Sequence, residues 1–211
     1  MFGFAPRVYS SSNLNIYIRL YVWGRSVNRD LLGLLLKGVI IEKFEVVDRS
    51  PCLADPERFK VVAKTDKKLE GILHILFLAV PNARYSEASR TMSYSFDRHN
   101  VVVGYNGEVA VTFIKDDDEL KELTKKITDL LNRGLAYHAA HPKIPGGLVE
   151  EKKKLNPMAI YKKLPLTNCK ECGDSGCYAF ASKLYMGERS VADCPHVDAS
   201  EMRRLLQPIT L

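Results

Sequence analysis

No hydrophobic run in the 211-residue sequence is long enough to cross a membrane. The longest, residues 72–80 with His74 inside it, is about half of what a bilayer-spanning helix needs. The start, Met1-Phe2-Gly3-Phe4-Ala5-Pro6-Arg7, lacks the charged opening and apolar stretch of a signal peptide, so a cytoplasmic location is expected. Strong charge of one sign is missing too. The formal charge of +6 comes from 31 Lys+Arg against 25 Asp+Glu, divided as 20 against 17 in residues 1–141 and 11 against 8 in 142–211. Neither part is basic enough for a nucleic-acid platform. There is no internal repeat, glycine-rich phosphate loop, catalytic triad or paired-carboxylate site. Nothing here points to a stand-alone enzyme.

What is present suits a folded protein. Hydrophobic residues make up 46% and charged residues 27%, close to ordinary globular usage. The length allows a medium domain with a small appendage. Residues 15–23 read as a strand, Asn28 is placed to cap a short helix through residue 36 ended by Gly38, and 39–47 reads as a second strand. Pro51 and Pro56 break the chain before Phe59–Thr65, where Phe59, Val61 and Ala63 alternate with Lys60 and Lys64. Residues 70–80 read as a buried central strand and 92–96 as another. Residues 101–114 form two apolar runs about Asn106-Gly107, a hairpin signal in which both turn positions take positive φ. Asp116, Asp117, Asp118 and Glu119 then open a helix with Leu120, Leu123, Ile127, Leu130 and Leu131 on one face and Gly134 at its end. This predicts an α+β fold with a mixed, largely antiparallel sheet over residues 1–140. A proline- and glycine-rich connector follows over 141–155, and a small helical domain over 156–211. The last helix opens on Asp198 and Glu201.

The cysteines stand out. Of five, Cys169, Cys172, Cys177 and Cys194 fall within 26 residues, and Cys52 stands alone. In a reducing compartment such a group reads first as a metal site. The pattern is Cys169-x2-Cys172-x4-Cys177-x16-Cys194-Pro195. Gly173 and Gly176 let backbone N–H groups approach sulfur, and Ser175 is placed to cap a helix from Cys177. On that helix Cys177, Phe180, Ala181 and Leu184 share one face, and Gly187 ends it. Four thiolates can hold zinc or an iron–sulfur centre. A single close pair, a third cysteine at a helix start and a distant Cys-Pro suit a [4Fe–4S] cluster better than two zinc knuckles.

The stretch Asn156-Pro157-Met158-Ala159-Ile160-Tyr161-Lys162-Lys163-Leu164-Pro165-Leu166-Thr167-Asn168-Cys169-Lys170-Glu171-Cys172-Gly173 resembles the four-iron domain of the corrinoid iron–sulfur protein large subunit of acetyl-CoA synthase/decarbonylase systems. It is also similar to the cluster domain of the electron-transport complex B subunit found in anaerobes. Gly176-Cys177-Tyr178-Ala179-Phe180-Ala181 and Asp193-Cys194-Pro195-His196 continue the same pattern. The resemblance covers about 40 of the 211 residues and implies a [4Fe–4S] cluster on Cys169, Cys172, Cys177 and Cys194, with a redox role. It does not imply a corrinoid substrate, since the domain here follows residues 1–140, which carry no family resemblance, instead of preceding a barrel.

Other residues have plainer readings. Cys52 is a loop thiol and His74 a core histidine in a strand. His138, His141 and His196 are surface histidines near domain boundaries, and Lys152–Lys154 and Lys162-Lys163 are solvated charge. The expected function is single-electron transfer in anaerobic one-carbon or corrinoid-linked metabolism. The partner would be a redox protein, related to corrinoid proteins or carbon monoxide dehydrogenase, with residues 1–140 docking it or forming a homodimer. The alternative is a non-redox binding or scaffold protein whose cluster only stabilises the C-terminal domain.

Overall fold

A computed structural model describes residues 40–53, 55–144 and 147–211. The strand expected at 15–23 and the helix at 28–36 lie outside the described residues. The chain divides into the units Met1–Val39 and Ile40–Leu211, and the second carries everything below.

Strands β1 (Phe44–Pro51), β2 (Phe59–Thr65), β3 (Arg84–Ser86), β4 (Thr91–Phe96), β5 (His99–Gly104) and β6 (Glu108–Ile114) form one sheet in the order β1-β2-β6-β5-β4-β3. Every pairing among them is antiparallel. Together with the helices this makes the α+β class. In β2 the alternation holds as read: Phe59, Val61 and Ala63 are buried, while Lys60 and Lys64 face outward. Strand β1 begins later than the 39–47 expectation. It is an edge strand, largely exposed, with a register shift between Val46 and Asp48, so burial leaves little alternation in it to read. Strand β3 is three residues long and was not foreseen.

The β5–β6 hairpin turns where expected, by a different geometry. Only Gly107 takes positive φ, at 88°, and its N–H closes the turn on the Gly104 carbonyl at 3.1 Å. This is a turn followed by a left-handed glycine, not a two-residue turn with both positions left-handed. A Cβ on Gly107 would lie 2.4 Å from the Lys67 carbonyl oxygen, so glycine is required twice over.

The strand expected over 70–80 is instead a 3-10 turn, Glu70–Ile72, running into helix α1 (Leu73–Ala79). Ile75, Leu76 and Leu78 are wholly buried, each contributing about 2 kcal/mol relative to exposure. A helix buried on nearly all sides shows no 3.6-residue periodicity, and a short apolar run cannot be told from a strand by pattern. His74 is thus helical and half-buried, with its ring 4.5 Å from that of Tyr85.

Helix α2 (Asp117–Ala140) opens on Asp116, whose carboxylate accepts from the Glu119 N–H at 2.9 Å. It does not stop at Gly134. There a Cβ would come within 2.9 Å of Leu76 Cδ2, so the glycine lets α2 pack closely on α1 rather than ending it. Leu123, Ile127 and Leu131 of α2 join α1 and the buried residues of the sheet in one core.

Helix α3 (Leu148–Lys153) lies inside the stretch read as a polar connector. Its Lys152 is buried, not solvated: Nζ donates to the carbonyls of Phe77 at 2.6 Å, Val80 at 2.7 Å and Leu78 at 3.4 Å, which end α1. Burial pushes its pKa down to about 7. Helices α4 (Pro157–Tyr161), α5 (Cys177–Met186) and α6 (Ala199–Leu206) follow. As expected, Asp198 caps α6, accepting from the N–H groups of Ser200 and Glu201. A second group of buried side chains, from Ile160 to Leu206, joins these three helices, while Ile209 returns to the sheet core. No helix among the described residues is long and apolar enough to cross a membrane.

Candidate metal centre

After α4 the chain enters a loop in which residues 165–171 are all exposed. Leu166, Asn168, Lys170 and Gly173 take φ of 59°, 50°, 64° and 80°. Three of these carry side chains, for which the left-handed region is uncommon. Alternation of this kind turns successive N–H groups toward a common concavity, and such backbones gather at ligand loops.

Cys177 opens α5, and the cap is not Ser175. The Asn168 side-chain oxygen accepts from the Cys177 N–H at 2.9 Å, and the Asn168 N–H donates to Cys177 Sγ at 3.4 Å. This reciprocal pair satisfies a free helix-end donor and puts an N–H on the sulfur, which already lies at the positive end of the helix dipole. A backbone N–H near Gly173 and Gly176 was expected on sulfur, and the one found there is that of Asn168. The Gly173 N–H instead closes a turn on the Lys170 carbonyl at 2.9 Å, and Gly176 serves by lacking a Cβ that would lie 2.9 Å from the Asn168 oxygen. Nothing in the local spacing marks Asn168 as a cap, because it acts from nine residues upstream.

The helix face is as read: Cys177, Phe180, Ala181 and Leu184 are buried. Left-handed Gly187 ends α5, and a capping box between Ser190 and Asp193 shapes the 3-10 turn Val191–Asp193 that delivers Cys194. Cys172 and Cys194, both half-buried, pack against the same apolar group as buried Cys177. Cys169 is exposed. Its sulfur, a Glu171 carboxylate oxygen and a His196 ring nitrogen lie within 4.8 Å of one another, with His196 Nε2 3.0 Å from Glu171 Oε2. Among the described residues no three cysteine sulfurs are that close together. Cys172, Cys177 and Cys194 thus share the small core, while exposed Cys169 lies beside His196, two residues past Cys194.

Asp174 was not singled out by the sequence. It sits between Cys172 and Cys177 with its side chain 0% exposed, paired to Lys183 of α5 and, at 3.2 Å, to Arg189 beyond that helix. The Lys183 hydrogen bond, supported by Arg189 against the opposing effect of burial, holds its carboxyl below the usual carboxylate range. The other candidates lie apart from this loop. Cys52 is buried by the sheet and its sulfur accepts from the Phe113 N–H at 3.4 Å. His141 is exposed and stacks on Tyr137, whereas His138 is half-buried against Gly71.

The donor set fits a thiolate-bound centre: four thiols free of disulfides, an N–H on one sulfur, and a loop of turned backbone between them. Residues 164–196 match the family model described as "Putative Fe-S cluster". They form an iron–sulfur domain. Over 52 residues the chain is 44% identical to the acetyl-CoA decarbonylase/synthase complex subunit gamma of Methanocaldococcus jannaschii, covering 25% of this chain and 11% of that subunit. Over 64 residues it is 44% identical to the same subunit of Methanosarcina acetivorans, covering 26% and 14%. It is 49% identical over 43 residues to the corrinoid/iron-sulfur protein large subunit of Moorella thermoacetica, covering 20% and 10%. The chain therefore spans no more than about a seventh of these relatives, and its likeness to them is carried by the iron–sulfur domain. No solved structure matches the chain.

Proposed function

We propose that Cys169, Cys172, Cys177 and Cys194 hold a [4Fe–4S] cluster, and that this cytoplasmic protein carries single electrons in anaerobic one-carbon, corrinoid-linked metabolism. The observation that supports the reading is that Cys172, Cys177 and Cys194 meet at one small core while Cys169 stays exposed on the loop leading to it. A centre held there has one side open to a partner and three sides fixed by the fold. Zinc is the weaker occupant. The match of residues 164–196 to an iron–sulfur family model supports the cluster instead.

When bound, such a cluster supplies one-electron oxidation and reduction at a potential set by its surroundings. The chain's own residues do the rest. The Asn168 N–H stabilises negative charge on Cys177 sulfur, and Phe180, Ala181 and Leu184 keep water from the inner side. Lys162 and Lys170 stay exposed beside the loop, whereas Lys163 is engaged by Glu201 at 2.9 Å. The gamma and large subunits it resembles belong, by name, to an acetyl-CoA decarbonylase/synthase complex and to a corrinoid/iron-sulfur protein. That supports a partner of the corrinoid or carbon monoxide dehydrogenase kind, docked through residues 1–140.

Protein purified without oxygen is expected to be brown, with about four iron and four sulfide per chain. A colourless protein with one tightly bound zinc contradicts the reading.

A further inference from the structure

We propose that Asp174, with Lys183 and Arg189, is the clamp that positions the ligand loop and sets the potential of the centre it holds, an inference that rests on the iron–sulfur reading above. The argument begins with where the carboxylate lies. Asp174 is in the four-residue gap between Cys172 and Cys177, and its side chain has no solvent exposure. An ionised carboxylate taken out of water is held there only when its charge is met by cations and hydrogen bonds. Here both oxygens are met, and by different segments. Lys183 reaches Oδ1 from within α5, and Arg189 reaches Oδ2 through Nε at 3.2 Å from the chain that has left α5 and is returning toward Cys194. Three ligand-bearing stretches are thus tied at one atom group: the loop with Cys172, the helix with Cys177, and the return with Cys194.

The Arg189 side chain also lies over the loop turn, 3.6 Å from where a Cβ on Gly173 would stand. Lys183 and Arg189 keep 41% and 31% side-chain exposure. The clamp therefore sits at the edge of the small core, where charge is only partly screened by water. An apolar side chain would fill the same space. What the ion triad adds is fixed register and a local charge balance beside four thiolates. Neutralising Asp174 leaves two cations unopposed, which favours the more negative, reduced form of the centre. Removing one of the cations acts the other way.

The test uses the full-length, cluster-bearing protein and compares Asp174→Asn, Asp174→Glu and Arg189→Gln with the wild type. It measures the rate of iron loss to a ferrous chelator and the midpoint potential by spectroelectrochemical titration. The expected result is several-fold faster iron loss in Asp174→Asn with an upward shift of the midpoint, a downward shift in Arg189→Gln, and a midpoint restored toward wild type in Asp174→Glu. Opposite signs for the two substitutions are what a purely structural contact does not produce. A midpoint unmoved by both, whatever the iron-loss rates, overturns the proposal. If Asp174→Asn does not fold, Arg189→Gln alone decides, because its midpoint must fall. A wild-type chain that binds no iron contradicts the proposed function instead. The clamp is then read from the alkylation rates of Cys172 and Cys177 in the metal-free chain: faster in Asp174→Asn if it holds the loop, unchanged if it does not.

Discussion

Cys177 is the most constrained of the five thiols, because Asn168 holds both its sulfur and its N–H while the small core holds its helix face. Cys177→Ser is expected to lose most of the bound iron, whereas Cys52→Ser keeps the wild-type iron content, since the Cys52 sulfur accepts from the Phe113 N–H on the sheet, away from the clustered thiols. Iron analysis of the two variants side by side checks this, and equal losses contradict it. The close spacing of Cys169, Cys172 and Cys177 is local and was legible in the sequence. So were the buried face of α5 and its glycine end. Asn168 and Asp174 were not. Each acts on a group 9 to 15 residues away, and only the folded loop brings the partners together.

Helices show where pattern reading works and where it stops. The acidic opening of α2 and the Asp198 start of α6 were readable, because a cap acts within a few residues of itself. Helix α1 was not, since burial on nearly all sides erases its period, and the use of Gly134 depends on what α1 places against it. Lys152 in α3 is of the same kind: three carbonyls at the end of α1 make its socket, and they lie more than 70 residues away. Its charge has a measurable consequence. Its pKa is about 7 in the folded chain and 10.5 for the ordinary group, so between these values the unfolded chain holds a proton that the folded chain lacks. Stability therefore rises with pH across that window and is insensitive to this group below about 7. The difference in urea midpoint between wild type and Lys152→Met, followed from about pH 7 to about pH 10, is expected to shift steadily in favour of the wild type. A difference independent of pH contradicts the account.

At the scale of the chain, the compact unit Ile40–Leu211 holds two buried groups of side chains, one on the sheet and one among α4, α5 and α6. We place the useful boundary after α3. Ile144, Leu148 and Val149 pack on the sheet core, and Lys152 caps α1. A fragment of residues 1–155 is expected to exceed one of residues 1–140 in unfolding free energy by about 2–4 kcal/mol, from that buried apolar surface and those hydrogen bonds. Equal denaturant midpoints and slopes for the two fragments contradict it. The break between α2 and α3 was legible in its prolines and glycines. The tie across it was not, because a lysine in a polar run carries no mark of burial. The central claim, a redox cluster on the four clustered cysteines, is tested most directly by reductive titration of the anaerobic protein followed by electron paramagnetic resonance. The account predicts a silent oxidised state and, on uptake of one electron per chain, a paramagnetic signal that is absent from Cys177→Ser. A folded, iron-loaded protein that takes up no electron from a strong low-potential reductant contradicts it, and leaves the cluster a structural staple.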